Sequence, residues 1–260
     1  MDRLLLILST LAFLGGMVHA VVSLRAGTWQ GNRWHWVPMA VGLMFQTAFL
    51  SMRGQLHGRC PLTNLFEVFI FIGWCIVLLY FLVGATYRLS LLGVFTAPMI
   101  ALLQVLALVS SIDLDTKAPQ PHGPPNPWLE IHAAVSLMAY AAFALACITG
   151  VMYLVQSWLL KKHRIHSLFY QLPPIPELAK AIRRLALLGL LLLSAGLAAA
   201  IPLHLPVSNP KLVFAWIVWG MYLVINVIMW RHMLSARQTA WLAVVGFVVP
   251  LVSLWIVTAA

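Results

Sequence analysis

The sequence predicts an all-α, polytopic integral membrane protein: one helical bundle over residues 1–260, about eight transmembrane helices, both termini on the outer side. Three observations predict it. Only 8% of residues are charged, 62% are hydrophobic and the mean hydropathy is +0.94, more apolar surface than a soluble domain of this length can hide. The apolar residues fall in long runs without period-two alternation, so the spanning segments are helices that satisfy their own backbone groups. The sixteen Lys and Arg residues gather between those runs. A net charge of +10 therefore reflects membrane orientation, not nucleic-acid binding.

The runs place helices at 4–24, 36–52, 63–86, 89–111, 129–160, 185–203, 212–230 and 239–258. The first, with Arg3, an apolar core and Val18-His19-Ala20, resembles a cleavable signal peptide. Asp2 beside Arg3 weakens that resemblance, and the run is read as a helix. The fifth run, Ile131 to Leu160, exceeds a hydrocarbon core of about 30 Å at about 1.5 Å per residue. Pro98 is the only mid-helix proline before Pro250, so the broken helices of transporters are not suggested.

With the amino terminus outside, the outer segments hold Arg3, Arg53, Arg59, Lys117 and Lys211, and the inner segments hold the rest. The loop 161–184 dominates this bias. Its Lys161-Lys162-His163-Arg164 cluster reads as a stop-transfer signal and an anchor to lipid headgroups. The proline-rich loop 112–128 is too short for a folded domain. Any ligand must then be held by the bundle itself. Cys60, Cys75 and Cys147 form no CxxC pattern, and two lie inside apolar runs, so neither a disulfide nor covalent haem attachment is expected.

The stretch with the most chemistry is Pro124-Pro125-Asn126-Pro127-Trp128-Leu129-Glu130-Ile131-His132. It places an ionisable pair at the mouth of a membrane helix. Neutral imidazole is a good axial ligand for haem iron, and a nearby carboxylate such as Glu130 orients it through its other nitrogen. The plainer alternative is an interfacial His132 satisfied by water. Glu67, one to two turns inside the third helix, should face the bundle interior. It is either a site residue or a structural hydrogen-bond partner, to Asn64 or to a neighbouring helix. His204 could supply a second outer ligand, or be simply a loop residue.

Eleven Trp and twelve Phe exceed what an interfacial belt needs, although Trp29, Trp34, Trp36, Trp128, Trp158, Trp230 and Trp241 sit near helix ends as a belt would. Trp74, Trp216 and Trp219 do not. Packing is the default role for those three, and a surface for a flat porphyrin the sharper one. Met138, Met152, Met221, Met229 and Met233 read as core filler. No P-loop, dinucleotide fingerprint, nucleophile elbow or zinc motif is present.

Three segments together resemble the cytochrome c assembly protein family, which includes a CcsA/ResC-like group and a short HemX/YpjD-like branch. They are Gly58-Arg59-Cys60-Pro61-Leu62-Thr63-Asn64-Leu65-Phe66-Glu67, Trp128-Leu129-Glu130-Ile131-His132 through Tyr140, and Asn209-Pro210-Lys211-Leu212-Val213-Phe214-Ala215-Trp216-Ile217-Val218-Trp219. The last is similar to the tail of the family's tryptophan-rich haem-binding signature. Leu172-Pro173-Pro174 and the last helix from Ala240 to Phe247 also fit.

The resemblance implies a bacterial inner-membrane protein that binds or passes haem b near the outer face, for attachment to apocytochrome c by a partner subunit. That is delivery rather than stand-alone catalysis. It makes His132 an iron ligand, has Glu130 and Glu67 shape the site, and has Phe214, Trp216 and Trp219 line it. His204 or His57 would be the opposite ligand, and His19 with His232 an inner-side pair. The chain also departs from the family. Pro202-Leu203-His204-Leu205-Pro206-Val207-Ser208 stands where the upstream signature tryptophans belong, and Asn209 and Leu212 replace an Asp and a Glu. The family's membrane histidine falls near Asn226 or Val227. These departures point to the HemX/YpjD-like branch. The alternative is accordingly a membrane regulator or scaffold of haem biosynthesis that carries no haem.

Overall fold

The computed structural model describes residues 2–25, 36–62, 65–87, 92–109, 126–162, 174–204, 206, 209–231 and 233–259. His35, His122, His163, His166 and His232 lie outside the described residues, as do most of the 112–128 loop and Arg164 of the basic cluster. All regular structure among the described residues is helical. In chain order the helices are α1 (Asp2–Arg25), α2 (Trp36–His57), α3 (Leu65–Tyr87), α4 (Leu92–Val109), α5 (Pro127–Lys161), α6 (Ile175–Ala200), a 3-10 turn (Ile201–Leu203), α7 (Pro210–Trp230), α8 (Ala236–Gly246) and α9 (Val248–Ala259). The segments 127–161, 175–203, 212–230 and 236–254 are long and apolar enough to cross a membrane. The protein is thus a multi-pass helical membrane protein.

The chain divides into two compact units, one within residues 1–123 and 156–173, the other within 124–155 and 174–260. In the first, α1 packs on α2 and α4, and α3 packs on α4 and α2. Gly42 of α2 lets the Phe13 ring lie where a side chain would stand, since a Cβ there would be 2.5 Å from the ring. In the second, α6 packs on α7 and α8, and α9 on α7 and α8. α5 runs through this unit with Ala139, Ala141, Ala142, Phe143, Ala144 and Leu145 wholly buried. Small residues on every face let neighbouring backbones approach closely, which is how membrane helices gain contact without a hydrophobic driving force. Gly189 and Gly196 of α6 complete that approach. A Cβ at Gly189 would stand 2.3 Å from the Phe143 ring, and one at Gly196 2.5 Å from Ser136 Oγ.

Three boundaries differ from the sequence reading. α2 continues past residue 52 to His57, and Arg53, expected in an outer loop, is a buried helical residue. The helix stops where Gly58 takes a φ of 61° and Arg59 N–H donates to the Gly54 carbonyl at 3.2 Å, a glycine C-cap. α6 begins at Ile175, ten residues before the expected start at 185. The charges of this stretch suggested a loop, but they lie on one side of a helix whose other side buries Leu178, Ala181, Ile182 and Leu185. The final helix is interrupted at Phe247, separating α8 from α9. Pro250 has no N–H to give the Gly246 carbonyl, and that missing bond sets the break. Cys75 of α3 and Cys147 of α5 are free thiols.

Replacing Gly189 with Ala drives a methyl into Phe143, itself fixed by stacking on Tyr222 at 3.5 Å between centroids. Gly189→Ala should lower stability by about 1–3 kcal/mol, read as a fall in Tm in detergent. A Phe143→Leu background should recover part of the loss.

Candidate functional site

Asn126 caps α5. Its Oδ1 accepts from Trp128 N–H at 3.0 Å, and its carbonyl accepts from Leu129 and Glu130 N–H. Pro127 follows at the first helical position, where its missing N–H costs nothing. Glu130 stands in the first turn, where the helix dipole favours a negative charge. This cap places His132 one turn further in, half-buried against α6.

His132 Nδ1 lies 2.7 Å from the Gly196 carbonyl oxygen. A carbonyl only accepts, so Nδ1 carries a proton and, in the neutral ring, Nε2 is the lone-pair nitrogen. That is the tautomer a metal-ligating imidazole uses, with its second nitrogen tied to an acceptor. The expected orienting group was Glu130. The acceptor found is the backbone of Gly196, because residues two apart on a helix project from nearly opposite faces. The close approach that Gly196 allows is therefore also what brings its carbonyl to His132.

Phe214, Trp216 and Trp219 lie on α7. Trp219 Nε1–H donates at 2.9 Å to Ser194 Oγ of α6, which in turn donates to the Leu190 carbonyl at 2.8 Å. Trp216 meets Trp219 edge-on at 5.5 Å and keeps 50% of its surface exposed. So Trp219 ties α7 to α6, and Trp216 offers an open indole face. Ser194 and Gly196 are two residues apart on α6, so Trp219 and His132 engage different sides of it. Asn226, which with Val227 was the expected place of a membrane histidine, donates through Nδ2 to the Tyr222 and Ala186 carbonyls at 2.8 and 3.3 Å. It joins α7 to α6.

His204 terminates the 3-10 turn in a left-handed conformation, φ 46°, with its side chain exposed. Pro202 cannot supply the N–H needed to continue the helix, so the chain turns there, beyond the end of α6. His19 is exposed on α1.

Glu67 belongs to the other unit. It is wholly buried, and its Oε1 accepts from Arg53 Nε at 2.8 Å. His57 Nε2 stands 4.0 Å from the same oxygen. The Arg53 guanidinium lies 5.9 and 5.8 Å from the ring centroids of Phe49 and Phe66. Arg53 was not among the expected site residues. The signal was there: Gln46, Phe49, Arg53 and His57 follow one another at helical spacing, on the face a buried Glu67 would need. Gly196 was also missed, though its seven-residue spacing from Gly189 marks one helix face.

Removing either partner of a buried ion pair strands the other charge. Arg53→Met or Glu67→Leu should each cost roughly 3–5 kcal/mol, and the double variant less than either. Thermal unfolding of the three proteins in one detergent measures this. Equal Tm values for single variants and parent would contradict a buried pair.

A family model described as Cytochrome C assembly protein matches residues 62–259. The chain is 35% identical to a cytochrome c biogenesis protein CcsA of Chlorella vulgaris over 112 residues, covering 43% of this chain and 36% of that protein. It is 32% identical to the CcsA of a Synechococcus strain over 109 residues, covering 42% of this chain and 31% of that one. To Protein HemX of Brevibacillus brevis it is 31% identical over 165 residues, 60% of this chain and 59% of the relative. The match thus spans about a third of the length of the CcsA relatives.

Proposed function

The chain belongs to the cytochrome c assembly protein family, and from that premise we propose that it is a haem-handling protein of cytochrome c biogenesis. It is read as a single membrane domain of about eight transmembrane helices in a bacterial inner membrane, both termini outside. The observation that carries the reading is the 2.7 Å contact from His132 Nδ1 to the Gly196 carbonyl. It commits the ring to one tautomer and presents Nε2 as a ligand without further rearrangement. Haem b, when bound, supplies the vinyl groups to which an apocytochrome c is joined by a partner complex.

In this reading His132 binds iron, the open face of Trp216 and the neighbouring Phe214 and Trp219 bear on the macrocycle, and Glu130 shapes the entrance. His204, exposed beyond α6, is the candidate for the opposite ligand. Glu67 and His57, with Arg53, form a separate polar cluster within the first unit. Lys162, whose Nζ lies 4.8 Å from the centroid of the Trp158 ring, anchors the inner end of α5 to lipid headgroups.

A second reading has its own support. The HemX relative is matched over a larger share of both chains than the CcsA relatives are, and the upstream tryptophans are replaced. This reading makes the chain a membrane regulator or scaffold of haem biosynthesis that carries no haem.

Absorption spectra of the detergent-purified protein, oxidised and then dithionite-reduced, separate the two. Haem handling predicts a Soret band with α and β bands that sharpen on reduction, and at least a tenfold loss of occupancy in His132→Ala, as removal of a ligand's binding energy entails. A protein that stays colourless when supplied with haem would support the regulatory reading. Full occupancy in His132→Ala would remove His132 from the site. In Gly196→Ala, where the added methyl meets Ser136 Oγ at 2.5 Å, His132 should be displaced and the Soret maximum should shift even if haem is retained.

A further inference from the structure

The α1–α4 unit holds polar groups that an apolar bundle would ordinarily exclude. Ser9, Gln46 and Gln104 are all wholly buried. Their hydrogen bonds determine which way each amide points. Ser9 Oγ donates its one proton to the Gly42 carbonyl at 3.0 Å. It must then accept from Gln104, which reaches it at 3.1 Å through Nε2. Gln46 faces the Ile70 carbonyl at 2.8 Å, an acceptor that only the amide nitrogen can satisfy. Neither amide can be flipped without setting acceptor against acceptor. Both Oε1 atoms are buried, and among the described residues neither has a donor.

The two amides occupy neighbouring turns of one core. Gly42 and Gln46 are one turn apart on α2. A Cβ at Gly73 would stand 3.2 Å from Gln46 Nε2 and 3.8 Å from Ile100 Cγ2, and Ile100 is one turn before Gln104 on α4. A buried amide oxygen without a donor loses the hydration it had in the unfolded chain and gains nothing in return. Two together call for a donor between helices.

The site's size and charge restrict what that donor is. Phe13 fills the space at Gly42, and Gln46 abuts Gly73, so the packing leaves no space for a large guest. The facing groups are two neutral amides and a serine, with no carboxylate to balance a cation. We propose that Gln46 and Gln104 form an internal binding site for one small neutral hydrogen-bond donor, a water molecule, in the core of the α1–α4 unit. Gln46 and Ser9 lie before residue 62, where the family match begins, so the site draws on helices outside that match. It is independent of whether His132 binds haem.

Radiolytic labelling of the intact protein in 18O-enriched water tests it, because a side chain beside a bound water takes up label although bulk solvent does not reach it. The buried Phe13 and Ile100 should label well above Phe143, a buried residue of the other unit. Gln46→Leu and Gln104→Leu should each abolish the excess. Their Tm shifts should be sub-additive: each substitution loses its own Nε2 hydrogen bond, but either one expels the shared guest, whose loss is counted only once in the double variant. Labelling of Phe13 and Ile100 no higher than Phe143 in the parent protein would overturn the proposal, and needs no variant to fold. So would strictly additive Tm shifts.

Discussion

The close approach of α5 and α6 is the constraint on which the 124–155 and 174–260 unit depends. Lipid is as apolar as a leucine side chain, so two membrane helices gain little by hiding leucines from it. They gain by packing. Gly189 and Gly196 remove the side chains that would hold α6 away from Phe143 and Ser136. Phe143 in turn stacks on Tyr222 with the rings 11° from parallel, and Tyr140 donates to Ser253 Oγ at 3.1 Å, Ser253 spending its own proton on the Pro250 carbonyl. The stripe that joins two helices thereby also positions α7 and α9.

That contact does chemical work as well. A histidine at the mouth of a membrane helix can adopt either neutral tautomer, and only one suits a given ligand role. The Gly196 carbonyl selects the Nδ1–H form. A backbone acceptor is well suited to this. It carries no net charge to desolvate, and it cannot rotate away from the ring as a side chain could. The carboxylate expected to do the same thing, Glu130, is bound by helix geometry to another face.

Several polar side chains elsewhere are tied to a named partner on a neighbouring helix. Glu67 has Arg53, Trp219 has Ser194, Trp74 has Thr47 at 2.8 Å. The Arg53–Glu67 pair joins α2 to α3, and the family match covers only the second of them. A carboxylate that looks, in α3 alone, like a costly functional outlier is held by a cation from a neighbouring helix. Buried charge in a membrane protein invites a functional reading by default. Here the partner supplies a structural role first, and His57, at the end of the same α2 face, leaves room for more.

From the sequence alone, the membrane class, the helical architecture, the family and the candidacy of His132 were legible, because each rests on local chemistry. Hydropathy, the absence of period-two alternation, and a short motif with its histidine do not depend on distant residues. Only the tertiary structure decided which groups meet. That Gly196 and not Glu130 orients His132, that Arg53 is core and not loop, and that Pro250 divides the last helix at Phe247 all depend on contacts or hydrogen bonds whose partner lies elsewhere in the fold. A sequence displays what each residue can donate or accept; close packing of helices determines what it finds.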